Sequence, residues 1–112
     1  MAKLYLLQSR FAWSLSKLIL YAEAAGYHVT FGRVYESEAA NKANGGIAGS
    51  LHTQRLAADL NLFSKDGKYL TKTEDYRPLG DYWKGQGDDY AWGGDFPKPD
   101  GNHFSIAHGG KK

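Results

Sequence analysis

From Leu56 to Leu62 apolar and polar positions alternate: Leu56, Ala58, Leu60 and Leu62 share one face, while Ala57, Asp59 and Asn61 share the other. This is the period of a β-strand with one aliphatic face, and it turns the Asp59 carboxylate away from that face. His52 lies seven positions earlier. An odd separation sends two side chains to opposite faces of a continuous strand, so His52 and Asp59 can share a ligand only if Thr53 to Arg55 makes a bend. Further on, Asp66-Gly67 predicts a hairpin turn that returns Lys68-Tyr69-Leu70 beside the strand of Asp59.

A second segment, Asp100-Gly101-Asn102-His103-Phe104-Ser105, opens a strand predicted over His103 to Ala107. His103, Ser105 and Ala107 then share a face opposite Phe104 and Ile106, and His103 faces the same way as Asp59 if the two strands are neighbours. The chain contains no cysteine, which excludes disulfides and thiolate zinc sites, so any metal must be held by histidine and carboxylate. Two imidazoles and one carboxylate would leave a zinc ion positive enough to bring the pKa of its water toward ~7. Asp100, three residues before His103, could take that proton and later give it to a leaving amine. A lone histidine is more often a hydrogen-bonded structural residue, so spacing alone leaves surface and core-lining roles open. His28 and His108 suit such roles and receive no function.

The remaining chain supplies the frame. Leu4, Leu7, Phe11, Leu15, Leu18, Ala22 and Ala25 recur at intervals of three and four, predicting a helix from Lys3 to Ala25 that Gly26 stops. Tyr27 to Phe31 alternates as a strand with Tyr27, Val29 and Phe31 on one face. Ser37 caps a short helix ended by Asn44-Gly45-Gly46, and a flexible loop from Gly45 to Ser50 leads to His52. Thr71 with Glu74 suggests a capping box for a helix including Tyr76, Leu79, Tyr82 and Trp83, with Pro78 forcing a late or broken start. Gly85 to Asp100 reads as an irregular loop anchored by Trp92 and Phe96, and residues 107–112 as a flexible tail. The expected architecture is α+β, a small antiparallel sheet with helices, in one domain spanning residues 1–112.

The formal charge of +2, from 14 basic and 12 acidic residues, includes the terminal Lys111 and Lys112 and gives no support to a nucleic-acid partner. The apolar runs Leu4 to Leu7 and Leu15 to Leu20 are too short for a signal peptide's apolar region or a membrane span. The expectation is a monomer made in the cytoplasm without a signal peptide and without membrane insertion.

Ser50-Leu51-His52 through Ala57-Ala58-Asp59, the Trp92-Gly93-Gly94-Asp95-Phe96 segment and Asp100 to Ser105 together resemble the zinc peptidases of the D-alanyl-D-alanine carboxypeptidase group. That group includes the VanX and VanY dipeptidases and carboxypeptidases and the phage L-alanyl-D-glutamate endolysins, and the similarity runs from about Val29 to Ser105. The resemblance implies the hedgehog/DD-peptidase fold, one zinc ion held by His52, Asp59 and His103, and Asp100 as general base. It implies hydrolysis of an amide bond in peptidoglycan stem peptides, with cell wall lysis as the role. The short format resembles the phage enzymes, which would need a membrane lesion from a partner such as a holin to reach the wall.

One departure concerns an arginine that many relatives carry in a Gly-x-x-Tyr-Arg or Gly-Tyr-Arg context, where it binds substrate or the developing oxyanion. Here Glu36 follows Tyr35, and Arg33 comes earlier, so Arg33, or else Arg55, is the candidate for that role, with a solvated strand-end arginine as the plain alternative. Ser50 and Ser105 beside the ligands are candidates for substrate binding or for supporting the ligands. Trp92 is a candidate cleft wall. Two other activities remain open at this level: a D-alanyl-D-alanine carboxypeptidase or dipeptidase, and a non-catalytic zinc-stabilised wall-binding module, against which an intact Asp100 argues.

Overall fold

The computed structural model describes residues 3–112. The first helix, α1 (Leu4–Ala24), buries Phe11, Leu15, Leu18 and Ala22 along its stripe, while the two ends of the stripe, Leu4 and Ala25, stay exposed. Gly26, at φ +92°, ends it as expected: Tyr27 N–H donates to Ala22 O and Gly26 N–H to Glu23 O, both at 3.0 Å. This reciprocal pair satisfies carbonyls that a helix end leaves open.

Strand β1 (His28–Phe31) lies antiparallel to β2 (Ala57–Phe63), with Phe31 opposite Leu60. It forms one edge of the sheet, and Phe31 is 63% exposed, so the apolar face expected for β1 is only half covered, at Val29. The hairpin at Asp66-Gly67 forms, and β3 (Tyr69–Leu70) pairs with the end of β2. On the same side of β2 as β3, away from β1, runs β5 (His103–Ile106), with Asp59 opposite His103 and Ala57 opposite Ser105. A further strand, β4 (Tyr90–Trp92), completes an antiparallel sheet of order β1-β2-β5-β4. Of the two remaining helices, α2 (Glu38–Ala43) is capped by the Ser37 hydroxyl, and α3 (Arg77–Lys84) packs against β4 and α1.

The core centres on Trp83 of α3, which is fully buried. Its ring meets Phe11, Tyr90 and Phe104 edge-on at centroid distances of 5.6, 4.9 and 6.1 Å, and its indole N–H donates to Ser105 O at 3.0 Å. Edge-to-face packing with the N–H satisfied is how a buried indole avoids an orphaned donor. The expected α+β architecture with a small antiparallel sheet is therefore the one formed. No helix among the described residues is long and apolar enough to cross a membrane.

Two local expectations need correction, and a third segment gains detail. Gly85 to Asp100 is not irregular throughout: it contains β4 and a 3-10 turn over Gly93–Asp95, and three residues are too few to show a strand period between glycine-rich flanks. Thr71 caps nothing. The helical segment starts as a 3-10 turn over Thr73–Tyr76, where Lys72 N–H donates to Asp75 Oδ2 at 3.2 Å, and becomes α-helical at Arg77 with Pro78 in its first turn. The segment 107–112, expected to be a flexible tail, closes a turn on itself. His108 and Lys111 exchange backbone hydrogen bonds of 2.9 and 3.0 Å around Gly109 and Gly110, whose φ of +58° and +79° suit a tight two-residue turn.

Candidate metal centre

The bend required between His52 and Asp59 exists. Leu51–Gln54 forms a 3-10 turn whose start is capped by Ser50 Oγ, which accepts from His52 N–H at 3.3 Å. Arg55 then adopts φ +59°, the only positive φ of a non-glycine residue among those described. A left-handed residue reverses the chain locally, and Leu56 N–H returns to Leu51 O at 3.0 Å before β2 begins. As a result His52 Nε2 lies 3.4 Å from Asp59 Oδ1, and the strand register brings His103 Nδ1 to 3.3 Å from the same oxygen. The three candidate ligand atoms lie within 4.8 Å of one another, and His52 and His103 are 5% and 7% exposed.

The bonding around His52 bears on what belongs between these atoms. Its Nδ1 lies 3.0 Å from Val34 O, and a carbonyl only accepts, so Nδ1 carries the hydrogen. A neutral His52 ring therefore points the lone pair of Nε2 at a carboxylate oxygen. Two acceptors at that distance repel unless a proton or a cation stands between them, and the nitrogen, oxygen, nitrogen donor set fits zinc. In the metal-free protein a proton can fill this place. Burial works against charging His52, but the hydrogen bond and charge of Asp59 and the Val34 carbonyl outweigh it and raise its pKa. Burial likewise opposes ionisation of Asp59, yet His103 and His52 hold its carboxyl at about 2.

Asp100 is set by a rigid turn beside the cluster. Its N–H donates to Gly93 O at 2.8 Å, its carbonyl accepts from His103 N–H at 3.1 Å, and the Trp92 indole donates to Gly101 O at 2.7 Å. A Cβ on Gly93 would come within 2.1 Å of Asp100 O and 2.8 Å of His103 Cβ, so only glycine fits there. Phe96 packs its ring 5.4 Å from that of His103. Loss of surrounding water, then the negative charge of Asp59, raise the Asp100 pKa, although solvent screens part of this because the residue is exposed. A raised pKa moves a carboxylate toward the range useful for a general base.

The other candidates separate. Arg33 approaches from the β1 side, where its carbonyl accepts from Asp59 N–H at 2.6 Å and its Nε lies 3.3 Å from Glu36 Oε2. Its charge reaches both His52 and Asp100. Arg55 instead stacks over Tyr35 at 4.0 Å, so of the two arginines Arg33 is the one directed to the cluster. Ser50 caps the His52 turn. Ser105 is fully buried, its hydroxyl without a partner, and Trp92 is 1% exposed, so neither wall nor substrate contact describes them; Trp92 holds the Asp100 turn. Sequence reasoning missed Gly93, the Val34 carbonyl and Glu36. Glu36 is buried, accepts from Asn44 Nδ2 at 2.9 Å and sends its N–H to His52 O at 3.3 Å, and its place after Tyr35 was the one visible signal. Cavity size does not mark this centre: two cavities of about 590 Å³ lie elsewhere, lined by residues of α1 and by neither His52 nor His103.

Residues 43–106 match the model of a family described as D-alanyl-D-alanine carboxypeptidase, and this span includes all three converging residues and Asp100. The chain belongs to that family. It is accordingly a peptidase. In fold it is similar to the Serratia marcescens L-Ala D-Glu endopeptidase ChiX, whose crystal structure aligns at a TM-score of 0.64 and 18% identity over 83% of this chain and 77% of that one. None of the curated proteins matches.

Proposed function

We propose that this peptidase is zinc-dependent and hydrolyses an amide bond in peptidoglycan stem peptides, in the manner of an L-alanyl-D-glutamate endopeptidase, with wall lysis as its role. The observation that carries the zinc reading is the lone pair of His52 Nε2 aimed at Asp59 Oδ1 with His103 Nδ1 alongside, an arrangement that calls for a cation. Zinc held by His52, Asp59 and His103 would supply Lewis acidity and bring the pKa of a water toward ~7. Asp100 accepts the proton of the attacking water at its carboxylate and hands it to the nitrogen that leaves. The Arg33 guanidinium, held at Nε by Glu36, offers its charge to a substrate carboxylate or to the developing oxyanion. Removal of a terminal D-alanine is the second reading, favoured by the description of the matched family.

His52→Ala and His103→Ala should each lose stoichiometric zinc in elemental analysis. Asp100→Ala should keep the metal and lose roughly 10²- to 10⁴-fold in turnover, the usual contribution of a positioned general base. Full turnover in Asp100→Ala would remove Asp100 from its role, and wild-type zinc content in both histidine variants would remove the metal centre.

A further inference from the structure

A polar groove of about 240 Å³ opens beside Asp100, between the turn that carries it and the segment after β3. Thr71, Thr73 and Tyr69 line one side, Pro99, Asp100 and Asn102 the other. Its walls are fixed. A Cβ on Gly101 would lie 2.9 Å from Thr73 Cα, so the two segments touch, and the Trp92 indole bond to Gly101 O pins the turn from behind. On the β3 side the Tyr76 hydroxyl donates to Leu70 O at 2.9 Å and accepts from Leu62 N–H at 3.1 Å. The groove is smaller than the roughly 300–1,000 Å³ of sites that engulf a whole ligand, so it suits part of a chain.

Two facts give it a direction and a chemistry. A base that takes a proton from water and returns it to the departing nitrogen must lie within hydrogen-bond reach of that nitrogen, so the segment released with the new amine starts at Asp100. The groove is the space that continues from there. No lysine or arginine lines it, and Asp100 is its one charged residue. A terminal carboxylate entering it would meet a like charge with no counter-cation in the groove's own walls, Arg33 lying on the β1 side of the cluster, whereas an amide or an amine would not.

We infer that this groove is the subsite for the segment released with the new amine, and that it takes a chain continuing as an amide or bearing an amine while disfavouring a residue that ends in a free carboxylate. This rests on the proposed peptidase chemistry and deepens it: it selects cleavage within a stem peptide over removal of a terminal residue. Arg33, approaching from the β1 side, remains available for a carboxylate attached beside the cut.

The test compares synthetic stem peptides identical up to the cut bond, whose released segment is a single residue ending in a free carboxylate, the same residue as its amide, or a longer chain bearing an amine. kcat/KM should be about tenfold or more higher for the second and third than for the first. Thr71→Lys, a change at an exposed position of the groove, should narrow that ratio by raising the acid and lowering the amine. The corresponding released products, titrated calorimetrically into chelator-treated protein, should bind in the same order without turnover. Equal kcat/KM for all three peptides, or a Thr71→Lys effect of the same sign on all, overturns the subsite. Hydrolysis of none of them by the zinc-loaded protein, with the products still binding in the expected order, overturns the proposed function and leaves the subsite standing.

Discussion

The cluster is held from two sides by different physics. On the β5 side, Gly93, Trp92, Phe96 and the Asp100 turn are packed so closely that Gly80 and Gly94 also lie against the Trp92 ring, where a Cβ on either would come within 2.3 Å of it. On the β1 side, His52, Arg33 and Glu36 sit in loops held by hydrogen bonds: Val34 O to the His52 ring, Ser50 Oγ to its N–H, Asn44 to Glu36, and Asn41 Nδ2 to Ile47 O at 2.7 Å. Close packing fixes position through repulsion, which admits no added atom, and on the β1 side it recurs only where Gly46 meets Asn41; elsewhere there single hydrogen bonds hold loops whose rims, at Arg33, Tyr35 and Ile47, are exposed, and each contributes a small net amount. The fixed side carries the proposed base and the last proposed ligand. The hydrogen-bonded side carries the first proposed ligand and the arginine proposed to meet the substrate.

Substitutions should expose that asymmetry. Gly93→Ala is expected to have the largest effect, because its methyl group overlaps both Asp100 O and His103 Cβ. Overpacking of this kind costs roughly 1–3 kcal/mol or more, and thermal melts should show it together with weakened zinc retention. Trp92→Phe keeps a ring between the glycines but leaves Gly101 O without its donor, at a cost of about 1–3 kcal/mol. Its further signature would be a turnover loss larger than the change in zinc affinity, since the Asp100 turn moves while His52 does not. Ser50→Ala, on the other side, removes one cap and should cost about 0.5–1 kcal/mol, at the low end for an N-cap. Equal losses for Gly93→Ala and Ser50→Ala in the same melts would erase the distinction between the two sides.

The smallest effect should appear as a slope with pH in the chelator-treated protein. His52 has a folded pKa raised above its ordinary 6.5, so the stability it contributes is fully present below pH 6.5 and is lost as pH rises through the raised value. Melting temperature of the metal-free protein should therefore fall over that interval. The zinc-loaded protein should not follow it, because metal and proton compete for the same lone pair. Parallel slopes for both forms would mean that His52 does not share its proton site with the metal.

Which parts of this were legible in the sequence follows from the range of the forces involved. The alternation from Leu56 to Leu62 fixed the face of Asp59, and the odd spacing to His52 demanded a bend that the left-handed Arg55 supplies. Gly26 and Ser37 announced their caps because capping is local chemistry. The strand at Tyr90–Trp92 was hidden because its pairing partner, β5, lies beyond a turn-rich segment and three residues show no period. Trp92 looked like a cleft wall because nothing nearby in sequence reveals the bond from its indole to Gly101 O. For the same reason Ser105 looked available beside a ligand, although the pairing of β5 with both β2 and β4 buries it.

The most direct test of the central claim is mass spectrometry of purified peptidoglycan after incubation with zinc-loaded protein, run beside a chelator-treated sample. The account predicts stem-peptide fragments with a new L-alanine carboxyl and a new D-glutamate amine, present with zinc and absent after chelation. Fragments that persist unchanged after the metal is removed, or an intact wall despite stoichiometric zinc, would contradict it.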